Sequence, residues 1–192
     1  MTDIDMREQI IRSAKDIFAR FGFKKTTVDD IANSIHRAKS SIYYYFGSKE
    51  EIFEEVIRRE YAYLKERLRQ ALAAEDSPEG KLRTYVLTRL RVLLKVSNLY
   101  GAITSDYLSY FSLIEKLRKD YVQQEILMFR GILQEGVEKG VFAIENVDTA
   151  ARTVVTAMKG LEYDWATTED ADQLEKEVES ILDMVLYGIL AR

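Results

Sequence analysis

The chain has 192 residues, 47% of them hydrophobic, with a single proline (Pro78), no cysteine and one histidine (His36); this suffices for one or two domains with cores and suits long helices better than turn-rich β folds. Without cysteine there is no disulfide, thiolate zinc site or thiol nucleophile, and the carboxylates at Glu50/Glu51 and Glu54/Glu55 are ordinary helix-surface pairs, so the chain reads as a non-enzyme with no catalytic residue, metal or cofactor. The net charge of −4 is unevenly spread: residues 1–49 carry nine Lys/Arg against six Asp/Glu, the remainder 19 against 26, a mildly basic head on an acidic body that suits contact with a polyanion at one end.

Nothing at the N-terminus has the basic-then-apolar pattern of a signal peptide, and no apolar run approaches the roughly 18 residues of a membrane span. A cytoplasmic protein without membrane contact is expected. In chain order, Ile10, Ile11, Ala14, Ile17, Phe18 and Phe21 recur at helical spacing between Met6 and Phe21, and Gly22 stands where a left-handed C-cap belongs. Thr27, with Asp30 three residues on, forms a capping box for a second, short helix whose apolar face is Val28, Ile31, Ala32 and Ile35. After the polar stretch His36–Lys39 a third helix spans Ser40–Phe46, with Ile42 and Phe46 inward and Ser41 and Tyr44 outward.

Gly47 breaks that helix, Ser48 with Glu51 repeats the capping pattern, and Ile52, Phe53, Val56, Ile57, Tyr61, Leu64 and Leu68 mark one long helix to about Ala74. The segment 75–80, with the acidic pair Glu75-Asp76, the proline and a glycine, sets a boundary. Helices are then expected near 80–97, 100–111 and 114–139, with breaks at Ser97-Asn98 and Gly140. The last two run Val147–Trp165, opened by Asp148, and Asp170–Leu190, where Leu174, Val178, Ile181, Leu182, Val185, Leu186, Ile189 and Leu190 form a broad stripe.

Two short helices joined by a tight turn and set on a third can place a recognition helix in the major groove. Tyr43, Tyr44 and Tyr45 supply hydroxyls and ring faces for that contact, Arg37 and Lys39 supply charge, and Lys49 a further phosphate contact. The same aromatics could instead be a packing cluster. The segment TTVDDIANSIHRAKSSIYYYFGSKEEIF at 26–53 resembles the TetR/AcrR transcriptional regulators over roughly residues 8–60 in length, order and apolar spacing.

The resemblance implies an all-α protein: an N-terminal three-helix helix-turn-helix domain at 1–47, joined by a long helix to a larger effector-binding and dimerisation domain at 48–192. It implies a homodimeric repressor of double-stranded operator DNA, released by a small-molecule effector through a shift of the long helix. Carried onto matching positions, it assigns DNA contacts to Thr27, Lys39, Ser41, Tyr43, Tyr44, Tyr45 and Lys49. Where the family commonly reads Ala-Gly-Val-Ser-Lys-Gly, this chain has Ile35, His36, Arg37, Ala38, Lys39 and Ser40. His36 is therefore expected to take positive φ, Arg37 to lie on the surface toward a phosphate, and Ser40 to cap the third helix in place of Ala38.

In the body, Tyr85, Tyr107, Phe111 and Phe129 could line an effector pocket or simply be core, and Arg89 could meet an anionic group of a ligand or form an internal ion pair. The terminal stripe, including Ile181, Leu182, Val185, Leu186 and Ile189, could join Val154, Met158 and Leu161 in a two-fold interface or pack within the chain; the resemblance implies a four-helix dimer interface. The alternative to a DNA-reading regulator is a helical ligand- or protein-interaction module that no longer reads DNA.

Overall fold

A computed structural model of the chain describes residues 3–96, 107–167 and 170–189. Among them the regular elements are helices: α1 (Asp3–Phe21), α2 (Val28–Ser34), α3 (Lys39–Tyr45), α4 (Lys49–Leu72), α5 (Pro78–Leu93), α6 (Tyr107–Glu138), α7 (Val147–Thr167) and α8 (Ala171–Ile189). Two compact units divide within α4 between Tyr63 and Leu64, and again within α6 between Leu117 and Arg118.

The first unit is built on the apolar faces of its first four helices. Ile10, Ile11, Ala14 and Phe18 of α1 are buried, as are Ile31 and Ala32 of α2, Ile42 of α3, and Ile52, Phe53, Val56 and Ile57 of α4. Phe18, Phe23 and Phe53 form an aromatic cluster with ring centroids 4.6–5.6 Å apart. Phe21 is not part of this face: it is 51% exposed, with the Arg20 guanidinium 5.1 Å over its ring. It belongs to the last turn, where Gly22, at φ +79°, redirects the chain and donates its N–H to the Phe18 carbonyl.

An ion-pair network fastens α1 to α4. The Arg59 guanidinium reaches both carboxylate oxygens of Glu8 at 2.5 Å and Glu55 at 3.2 Å, and Arg7 lies 3.5 Å from Glu55. The hydrogen bond from Arg59 holds the Glu8 carboxyl below its usual range. Burial alone would raise that of Glu55, but the arginines around it outweigh burial and lower it.

In the second unit, Ser77 caps α5 by accepting the Gly80 N–H at 3.0 Å, with Pro78 at the first helical position. The boundary expected in 75–80 is there. Helix α6 is continuous across residues 111–114, where a break was expected; residues 97–106 lie outside the described region. No glycine or proline falls at 111–114, so nothing in the chain compels an interruption. Helix α6 ends at Gly140, φ +69°, in a Schellman motif: the N–H of Gly140 meets the Val137 carbonyl and that of Val141 the Gly136 carbonyl. Asn146, not Asp148, caps α7, accepting the Thr149 N–H at 2.9 Å; Asp148 instead pairs with Arg130 of α6 at 2.9 Å. Asp170 caps α8 through the N–H groups of Asp172 and Gln173. Ion pairs Arg91–Glu175 and Arg83–Asp183 join α5 to α8.

Among the described residues no helix is long and apolar enough to cross a membrane, and no three His, Asp or Glu side chains are grouped so as to hold a metal ion.

Candidate nucleic-acid interface and effector cleft

Helix α2 starts at Thr27 because the capping box closes there. The Thr27 hydroxyl accepts the Asp30 N–H at 3.2 Å, while the Asp30 carboxylate accepts the Thr27 N–H at 2.8 Å and its hydroxyl at 2.7 Å. These bonds hold the Asp30 carboxyl below its ordinary range. Thr27 is exposed, and its hydroxyl oxygen retains acceptor capacity.

The turn follows from His36. At φ +55° it is the only non-glycine residue with positive φ among those described. Its N–H meets the Asn33 carbonyl at 3.1 Å and that of Arg37 meets the Ala32 carbonyl at 2.9 Å, a Schellman motif with histidine at the position glycine usually takes. Arg37 is exposed, as expected. Ser40 does not cap α3: the helix begins at Lys39, Ala38 is the N-cap, and no side chain caps it. The reason is geometric, since the Schellman turn ends at Arg37 and extended Ala38 (φ −73°, ψ 148°) already starts the helix, leaving Ser40 inside the first turn.

Ile42 and Phe46 are fully buried and anchor α3, which turns Tyr43 (47% exposed) and Tyr44 (76%) outward. Ser41 and Tyr45 are half-buried, with the Tyr45 ring edge-on to Tyr44 at 4.9 Å. An exposed tyrosine pair on a seven-residue helix with an apolar anchor behind it is a presented surface rather than a packing cluster.

The two lysines are not idle. Lys39 Nζ lies 2.6 Å from Asp29 Oδ2, joining the start of α3 to the first turn of α2, and that bond raises the Lys39 pKa. Lys49 Nζ donates to the carbonyls of Phe23 and Thr26 at 2.8 and 2.9 Å and sits 4.2 Å over the Phe23 ring. Two of its three donors thus brace the α1–α2 turn. Asp29 went unnoticed in the sequence because no helical periodicity links residues 29 and 39.

In the second unit, Tyr85 and Arg89 are core. Arg89 Nε lies 2.6 Å from Glu125 Oε1, the Tyr85 hydroxyl donates to the same oxygen at 3.4 Å, and the Tyr85 ring stands edge-on to Phe129 at 5.2 Å. Burial, with the negative charge of Glu125, pushes the Tyr85 hydroxyl pKa well up. The side chains of Tyr107, Phe111 and Ile189 lie outside the described residues.

Phe129 faces an open apolar cleft of about 590 Å³ whose floor includes Leu82 and Val86. Val154, Met158, Leu161, Ile181, Leu182 and Val185 line it as well, so one surface gathers residues read from the sequence as a dimer face and one read as an effector pocket. Met158, Leu182 and Leu186 are buried within the chain, Val154 and Leu161 are half-buried, and Ile181 and Val185 are 38% and 37% exposed.

Comparison with known proteins decides the family. Residues 10–56 match the model described as bacterial regulatory proteins, tetR family, and residues 79–191 that of the QacR-like protein, C-terminal region. The chain is 32% identical over 155 residues to the HTH-type transcriptional repressor KstR2 of Mycolicibacterium smegmatis, covering 77% of this chain and 73% of that one. It belongs to the TetR family of transcriptional regulators. A probable acrEF/envCD operon repressor of Escherichia coli is 24% identical over 94% of this chain and 84% of its own. The solved structure of a putative TetR-family regulator from Syntrophomonas wolfei superimposes with a TM-score of 0.79 over 98% of each chain at 18% identity. As a TetR-family member the chain is an all-α DNA-binding transcriptional regulator and not an enzyme.

Proposed function

We propose that this regulator is a cytoplasmic homodimeric repressor whose paired α3 helices read a pseudo-palindromic operator, and that an apolar small molecule in the cleft of the second unit releases it. The observation carrying the DNA contact is the outward display of Tyr43 and Tyr44 beside Lys39 and Arg37, over the buried anchor Ile42 and Phe46. Tyrosine hydroxyls and the cations reach phosphates and base edges, and Thr27, Ser41, Tyr45 and Lys49 are the further contacts that the family resemblance assigns. Lys49 contributes the one N–H its carbonyl contacts leave over.

The repressing sense follows the repressors to which the chain is similar. The effector's character follows the cleft: about 590 Å³ is ordinary for a metabolite-sized ligand, and Glu145 is its one charged lining residue. Exposed Met184 on α8, outside the cleft lining, with Ile181 and Val185 at the edge of the cleft, favours a second copy of the chain packing against that helix. Ligand that prefers one arrangement of the body shifts operator affinity by its differential affinity; a coupling of about 1–3 kcal/mol gives roughly 5- to 150-fold.

Duplexes selected from a random library by the purified protein, assayed by fluorescence anisotropy over a salt series, test this reading. Preferred binding that falls steeply with salt and is weakened by Tyr44→Ala supports it. Failure to select any duplex, even at low salt, favours the interaction module.

A further inference from the structure

Lys39 stands on the presented face of α3, yet its ammonium is already held by Asp29 across the turn at 2.6 Å, with both side chains about half exposed (48% and 55%). Tyr43, one turn along α3, continues the row of exposed polar groups. Asp29 is not needed as a cap, because the Thr27–Asp30 box serves the start of α2 by itself. A carboxylate retained beside the cation of a DNA-reading surface opposes a polyanion, so its effect on binding is open to measurement.

We infer that Asp29 is a specificity-determining positioning residue, which holds the Lys39 ammonium in register for the operator and withholds it from arbitrary phosphates. The inference rests on the proposed DNA contact of Lys39. An ammonium has three N–H donors, and the bond to Asp29 occupies one. A correctly placed base edge or phosphate can take the other two with the pair intact. On unrelated DNA no matching base edge meets the held ammonium, and Lys39 must either leave Asp29 for a phosphate or forgo the contact. The pair is electrically neutral, so it releases few counterions by itself. Exposed pairs hold their geometry with at most about a five-fold preference, which bounds the discrimination available.

The test compares Asp29→Asn with wild type on the duplex selected by wild type and on a scrambled duplex of equal length, with Asp16→Asn, an exposed acid of α1, as the control for bulk charge. Asp29→Asn should tighten scrambled-duplex binding about 3- to 5-fold and steepen its log–log salt slope by about 0.9, while changing selected-duplex affinity less than about two-fold. In a Lys39→Met background the same substitution should change neither the ratio nor the slope. An equal change on both duplexes, matching Asp16→Asn, would overturn the inference, as would persistence of the effect without Lys39. Selection of a duplex by wild type, and its loss of affinity in Lys39→Met alone, test the underlying reading separately.

Discussion

Lys49→Met keeps most of the apolar stem and removes the ammonium. The structure gives that ammonium two charge-assisted hydrogen bonds, to the Phe23 and Thr26 carbonyls, and a position 4.2 Å over the Phe23 ring. Hydrogen bonds to charged groups contribute about 1.5–3 kcal/mol each when buried, and a partly exposed cation over an aromatic ring about 0.5–1. Lys49 is half-buried and water can replace its bonds in part, so the expected loss is about 2 kcal/mol. For a chain of this size that corresponds to about 4–8 °C in Tm, read by thermal denaturation followed by circular dichroism. Neutral carbonyls do not cancel its charge, so the salt slope of DNA binding should also fall, by up to the roughly 0.9 that one lost phosphate contact gives. An unchanged Tm would refute the reasoning, showing an ammonium that does not brace the α1–α2 turn.

The glycines of α6 make an opposed pair. A Cβ on Gly136 would stand 2.0 Å from the Phe142 ring, whereas one on Gly131 meets nothing within 4 Å, so Gly136→Ala should cost about 1–3 kcal/mol and Gly131→Ala should gain up to about 1; equal Tm shifts would contradict the close approach. Glu125→Leu alone should cost about 3–5 kcal/mol by removing the carboxylate that lies 2.6 Å from the buried Arg89 guanidinium, and Arg89→Met added to it should restore most of that in denaturant titrations. Glu8 and Glu55 have folded-state pKa values lowered from 4.5, so their contribution to stability is complete above that value and is lost as pH falls through the folded values. Arg59→Gln should therefore flatten the fall in Tm below pH 4.5, and an acid limb identical to wild type would exclude the network as its source.

The first unit was legible because its signals are local. Capping residues, a C-cap glycine and three- or four-residue apolar spacing each act within one turn of helix, and α2 and α4 followed from them, whereas the αL conformation of His36 followed from the family resemblance, which places a glycine there. Phe21 and Ser40 were misjudged at helix ends, where one residue's displacement decides whether a side chain faces the core or caps a turn. In α6 composition gave no usable signal for helix length. The cleft could not be foreseen from any single helix, since its lining comes from α5, α6, α7, α8 and the 143–145 loop, and periodicity reports only that each helix has an apolar face.

The charged residues teach a different lesson. Reading Lys39 and Lys49 as phosphate contacts assumes that a cation on a DNA-facing surface is uncommitted, and the structure gives each a partner inside the protein. The partners differ in kind. Backbone carbonyls around Lys49 leave its charge uncompensated, so it adds to the potential of the surface even while bracing the turn; a carboxylate beside Lys39 cancels the charge and leaves only geometry. Two lysines of equal formal charge should therefore act on DNA in separable ways: removing Lys49 lowers the affinity for every duplex through stability and field, and removing Lys39 lowers it chiefly where the sequence fits.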